Sequence, residues 1–214
     1  MKTVLTAVML LAFSCLPLSA AETLSGLNDL QSQWAKINYA DMDSDKKATE
    51  FKTLIDQAQA LVSAQPDNVE YRIWLGIIQS STAGAEGGLG ALKYAKEARK
   101  NFETALTINE NALEGSAMAS LGVLYHKVPG WPIGFGSDKK AEKLFKRALK
   151  VNPDGIDSNY FYAEYLFDDG EYQQALAYLD KAMHAAPRPD RPLADEGRRQ
   201  DIAALKTKIE KKIR

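Results

Sequence analysis

The sequence predicts an all-α protein, a solenoid of about four antiparallel helical hairpins closed by a C-terminal capping helix, and three observations carry that expectation. The first is a triplet, Ala-x3-(Phe/Leu)-x2-Ala, found at Ala98, Phe102 and Ala105, at Ala141, Phe145 and Ala148, and at Ala175, Leu179 and Ala182. Small residues spaced by four and three share one helical face, where they let a neighbouring helix approach closely while the large residue fills the gap. The second is an apolar helical stretch ahead of each triplet, RIWLGII, MASLGVLY and YFYAEYL, with its small residue at Gly76, Gly122 and Ala163. The third is punctuation: Pro153 and Pro187 each fall five residues after the last alanine of a triplet, where they stop a second helix.

The elements follow in order. Pro66 stands in the same relation to Leu54, Ala58 and Leu61, so residues 46–64 are the second helix of a degenerate first hairpin. Its partner spans residues 27–40, with Leu27, Leu30, Trp34 and Ile37 on one face. The hairpins are therefore expected at about 27–66, 68–109, 112–153 and 156–187. The interval from the small residue to its triplet shrinks from 22 (Gly76 to Ala98) to 19 (Gly122 to Ala141) to 12 (Ala163 to Ala175). After the connection PRPDRP, residues 194–212 place Ile202, Leu205, Ile209 and Ile213 on one face, suited to covering the apolar end of a stack of hairpins. Lys206, Lys208, Lys211, Lys212 and Arg214 read as its solvated outer face.

The 12-residue interval, with Gly170 at the turn and Leu179, Ala182 and Pro187 beyond, resembles the tetratricopeptide repeat family in register over about residues 156–189. The pairs at 69–110 and 115–153 match at both helices but carry roughly ten and seven extra residues between them, and Glu110 stands where the terminating proline is expected. Residues 35–66 match only through the second helix.

The leader MKTVLTAVMLLAFSCLPLSAA has one lysine, an apolar run and small residues at Ser19 and Ala21, the order of a secretory signal peptide cleaved before Glu22. The mature chain, residues 22–214, is then a single periplasmic domain. Ala12, Phe13 and Ser14 before Cys15 fit a lipobox poorly, so lipoprotein anchoring is not expected. If Cys15 leaves with the leader, no cysteine remains and apolar packing holds the domain together. No other segment is long enough to span a membrane. Without Lys2, 26 basic residues face 28 acidic ones, so there is no basic excess to neutralise nucleic-acid phosphates.

Two surfaces are candidates for function. The concave face, built from the first helix of each hairpin, takes Glu70, Ile73 and Ile77 from the second, His126 and Lys127 from the third, and Asp157, Tyr160, Glu164, Phe167 and Asp168 from the fourth. Its mix of apolar, aromatic and charged residues suits an extended or helical peptide. The other is a pair of inserts, STAGAEGGLGA and PGWPIGFG, both expected to be irregular because glycine permits positive φ and proline stops helices. Trp131, Ile133 and Phe135 either form a lid over helix ends or wall a ligand pocket. Neither insert has the Gly-x4-Gly-Lys-Ser/Thr pattern of a phosphate loop.

Catalysis, cofactors and metals are not expected. His126 and His184 are the two histidines, far apart and without a second ligand at metal spacing, and Asp168-Asp169 before Gly170 is turn chemistry. The inserts, with VPGWPIGFGSDKKA before the next helix, are similar to those of the T-component proteins of tripartite ATP-independent periplasmic transporters. That resemblance implies an exported helical-repeat protein that partners a transporter's substrate-binding protein. Two functional readings follow: a periplasmic scaffold gripping an envelope protein or peptide in its concave groove, and a T-component-like protein whose inserts enclose a small apolar ligand, with association of several copies left open.

Overall fold

The computed structural model describes residues 20–213, with side chains from residue 26 onward. The expected leader and Cys15 therefore lie outside the described residues, apart from Ala20 and Ala21 in the first turn of the first helix. Among the described residues there are nine α-helices and no strand. Four hairpins pair α1 (Ala20–Asn38) with α2 (Ser44–Ala64), α3 (Val69–Glu86) with α4 (Gly88–Ile108), α5 (Ser116–Lys127) with α6 (Asp138–Val151), and α7 (Ile156–Asp168) with α8 (Tyr172–Met183); α9 (Pro192–Lys212) follows.

Local chemistry sets the ends. The Asp43 carboxylate accepts from the Lys46 amide at 2.8 Å ahead of α2, and the Asn68 side chain accepts from the amides of Glu70 and Tyr71 ahead of α3. Gly170, at φ +82°, turns the chain between α7 and α8. Where a proline is missing after α4, Leu113, Glu114 and Gly115 all take left-handed φ and swing the chain into α5. The Ser116 hydroxyl donates to the Leu113 carbonyl at 2.6 Å and braces that turn.

All nine triplet residues are buried at 1% exposure or less, which makes the triplets the packing seams of the stack. A Cβ on Gly76 would come within 2.7 Å of the Phe102 ring, and one on Gly122 within 2.7 Å of the Phe145 ring. The glycine and phenylalanine of each hairpin thus form one fitted contact between antiparallel helices.

The first helices pack in series, α1 on α3, α3 on α5 and α5 on α7, and form the inner, concave layer. At the end of the stack α9 packs on α8 and α7 and also on α1, at the far end of the series. The inner layer is therefore a closed ring of five helices. Buried apolar residues divide into a core around the first hairpin and one side of α3 and a larger one running from the other side of α3 to α9. Ala194 of α9 belongs to the former, and Ile202, Leu205 and Ile209 to the latter, so one helix ties both together. Ile213, expected on the same face, is 44% exposed beyond the helix end.

Candidate functional site

The ring changes the surroundings of the predicted concave residues. Ile73 is not on the groove surface: it is fully buried in the core, because the inner helices approach closely enough to cover that position from both sides. Glu70 sits half-buried in the first turn of α3. Ile77 lines a central hollow of about 320 Å³, to which all five inner helices contribute, among them Trp34 of α1, Val123 of α5, Tyr160 and Glu164 of α7, and Arg198 of α9.

A second group gathers outside the hollow. His126 is a bridge, with Nδ1 3.0 Å from an Asp138 carboxylate oxygen, Nε2 2.9 Å from Asp168, and its ring edge-on to Tyr165. Only 13% of its side chain is exposed, so it is hemmed in and not a solvent-facing helix end. Lys127 donates to Asp168 at 2.7 Å and lies 3.6 Å from Glu164. Burial works against ionisation of Asp168, but the bonds from Lys127 and His126 outweigh it and hold its carboxyl below the ordinary range. Phe167 packs on the Tyr172 ring at the α7 to α8 turn. These residues stitch α5, α6 and α7 together, and both nitrogens of His126 are engaged by carboxylates.

The other predicted residues, Asp157 and Tyr160, meet the C-terminal segment. Asp157 takes Arg188 Nη1 at 2.7 Å on one carboxylate oxygen and Arg198 Nε at 2.8 Å on the other. Asp195, 4% exposed, takes the Arg188 amide at 2.7 Å and its Nε at 2.6 Å. The Arg198 guanidinium lies over Tyr160 at 4.4 Å and Phe161 at 4.8 Å, and its Nη1 donates to Asp201 at 3.0 Å. On the opposite wall, the Tyr39 hydroxyl donates to Asp201 at 3.4 Å, and Gly197 lies so close to the Tyr39 ring that a Cβ there would overlap it. The Arg191 guanidinium covers the Trp74 ring at 4.9 Å.

Electrostatics follow the geometry. Burial opposes the Asp157 charge, yet Arg198, Arg188 and Arg191 together hold its carboxyl well below the usual range. Burial pushes the Tyr39 hydroxyl up to about 12. Burial, with repulsion from Arg188, brings Arg191 down to about 10, and its Nε has no hydrogen-bond partner. Burial also raises Asp201, against the pull of Arg198.

The inserts part company. The expectation that both are irregular fails for STAGAEGGLGA: α3 runs on to Glu86, α4 begins at Gly88, and the break is confined to Gly87 and Gly88, at φ +62° and +54°. Its extra residues lengthen the second hairpin, and Lys52 pairs with Glu86 at 2.6 Å to hold the extension. PGWPIGFG is an ordered loop in which the Gly136 amide donates to the Pro129 carbonyl at 3.0 Å and the Ser137 amide to the Tyr125 carbonyl at 2.7 Å. Trp131 and Ile133 are 90% and 64% exposed, so they do not wall a pocket; two prolines and three glycines hold the loop's tip away from the helices. Only Phe135 packs inward, edge-on to Tyr125 and 4.9 Å from the Arg99 guanidinium.

The sequence reading missed Tyr39, Arg188, Asp195, Arg198 and Asp201. One signal for Arg198 was present: it occupies the same helical stripe as Ala194, Ile202, Leu205 and Ile209, where a charge is out of place unless something answers it. Among the described residues no three His, Cys, Asp or Glu side chains gather as a metal site, and no helix is long and apolar enough to cross a membrane.

The model of the tetratricopeptide repeat family matches residues 139–190. The crystal structure of TTC0263, a thermophilic TPR protein of Thermus thermophilus, superposes with a TM-score of 0.56 at 17% identity, over 86% of this chain and 97% of that one. PilF of Pseudomonas aeruginosa gives a TM-score of 0.35 at 14% identity, over 88% and 93% of the two chains. A search of curated proteins finds no match.

Proposed function

From a chain that carries a tetratricopeptide repeat at residues 139–190 and has the solenoid fold of tetratricopeptide repeat proteins, we propose a scaffold that captures a helical segment of another envelope protein on its inner face. Proteins of this repeat type are generally non-enzymatic interaction scaffolds. The observation that carries the reading is that the inner layer already accepts a helix: the first half of α9 lies against α1 and α7 through aromatic faces and paired charges. A periplasmic location belongs to the same proposal and rests on the leader sequence. Photo-cross-linking in the cell tests it, with p-benzoylphenylalanine at Val123 inside the ring and at Lys100 on the outer layer. A discrete adduct from Val123 and none from Lys100 is expected; no adduct, or the same one from both, contradicts the inner-face reading.

The hollow supports a second reading, a T-component-like protein that holds a small apolar ligand and partners a substrate-binding protein. Here the site is the open hollow between the five inner helices and not the inserts; Trp34, Ile77, Val123 and Phe161 give it an apolar part beside Ser80, Ser120, Glu164 and Arg198. Native mass spectrometry of protein from its own envelope should then show a bound small molecule that Val123→Phe removes; an empty protein counts against it.

A further inference from the structure

The inner face of this solenoid is not open in the structure, because its own C-terminal segment lies across it. We infer that residues 186–201 are a releasable strap occupying the partner site, and that the partner helix they stand in for is cationic, with an arginine that takes the place of Arg198 between Asp157 and the rings of Tyr160 and Phe161. The inference rests on the scaffold reading of the inner face.

Three observations support release. The strap meets the face through the Arg188 and Arg198 bonds to Asp157, the rings beneath Arg191 and Arg198, the Tyr39 bond to Asp201 and one small apolar residue, Ala194, whereas the rest of α9 is held by buried Ile202, Leu205 and Ile209. Buried ionic contacts fix geometry better than they add net stability, so the strap is the more weakly attached half. It also contains a poorly satisfied group, since the Arg191 Nε has no partner. Its two ends are anchored, by α8 on one side and by Ile202 on the other, so it can leave the face as a tethered loop that withdraws only Ala194 from the apolar cores and keeps Ile202, Leu205 and Ile209 in place.

The partner's chemistry follows from what the strap leaves behind. With Arg188 and Arg198 gone, Asp157 stands without a cation beside two aromatic rings, a setting that an arginine completes by a forked carboxylate bond and by stacking. An acidic or purely apolar helix leaves that carboxylate uncompensated.

The test uses the full-length protein and a fluorescent peptide copying residues 186–201. The wild type is expected to bind it weakly, because the face is occupied and apparent affinity scales with the open fraction. Arg198→Gln in the protein should tighten binding about tenfold or more, and adding Asp157→Asn should remove the gain, as should Arg198→Gln in the peptide. Equal binding by wild type and Arg198→Gln, or a gain that survives Asp157→Asn, overturns the inference. Should Arg198→Gln fold poorly, hydrogen exchange on the wild type decides: amides of 193–201 should exchange by an opening separate from that of 202–211, and a single shared rate contradicts release. Peptide switching without any adduct at Val123 would keep the strap and discard the partner reading, whereas an adduct without switching would do the reverse.

Discussion

Within the single helix α9, the half ending at Asp201 and the half beginning at Ile202 meet the rest of the molecule by different chemistry. The later half covers the last hairpin with Ile202, Leu205 and Ile209, each at most 5% exposed. The earlier half, with Arg188 just ahead of it, reaches α7 through Asp157 and Tyr39 at the end of α1 through Asp201, and borders a hollow instead of filling it. Apolar burial is non-directional and tolerates small shifts, whereas paired guanidinium and carboxylate groups demand one register and lose most when a single partner goes. A repeat stack can thus use one segment both as a permanent cap and as a specific, breakable closure.

That contrast can be broken most strongly at Asp157. Asp157→Ala removes the carboxylate that Arg188 and Arg198 share, leaving them only Asp195 and Asp201, and should cost about 3–5 kcal/mol in chemical denaturation. Ile209→Ala should cost about 2–4 kcal/mol by cavity formation, with no change in how readily the strap opens. The double replacement Asp157→Leu with Arg198→Met removes both charges together and should fall within about 1 kcal/mol of wild type, a non-additivity that no pair of sites in the cap will show. Acid sharpens the comparison further. Because its carboxyl is held below the ordinary range, Asp157 contributes fully above about pH 4, and the contribution is lost as pH falls through its folded value; Asp201, raised instead, works in the opposite direction. Stability of Asp157→Asn should therefore fall less steeply below pH 4 than that of wild type, in denaturation series at matched ionic strength. The smallest effect is expected at the exposed loop tip, where Trp131→Ala should change stability by no more than about 0.5 kcal/mol.

Much of the architecture was legible because close helix packing leaves a short-range mark. A small residue ahead of a large one flanked by alanines recurs in the second, third and fourth hairpins, as glycine and phenylalanine in two of them, and each such triplet lies in a buried seam. Glycine content alone misled at STAGAEGGLGA, where alanine, serine and threonine sustain the helix and packing overrides the modest cost of glycine. PGWPIGFG remained a loop because its prolines lack amide donors. The concave face was read in part: Asp157, Tyr160, Glu164 and Ile77 do line or border the inner space, while Ile73 lies in the core. Ring closure was not legible, since whether a ninth helix reaches the first depends on how rotation accumulates along the stack, which no local pattern encodes. A charge on the apolar stripe of α9 was the one trace it left.

The most direct measurement of that closure is an NMR contact between Tyr39 and Gly197, residues brought together only if the C-terminal helix crosses the inner face to α1. In protein labelled selectively at tyrosine and glycine, the closed ring predicts a strong nuclear Overhauser effect between the Tyr39 ring protons and the Gly197 α-protons, with those α-protons moved by the ring current. A Gly197 signal at its ordinary helical position with no such contact would mean that the ring is open in solution and that the strap does not occupy the groove.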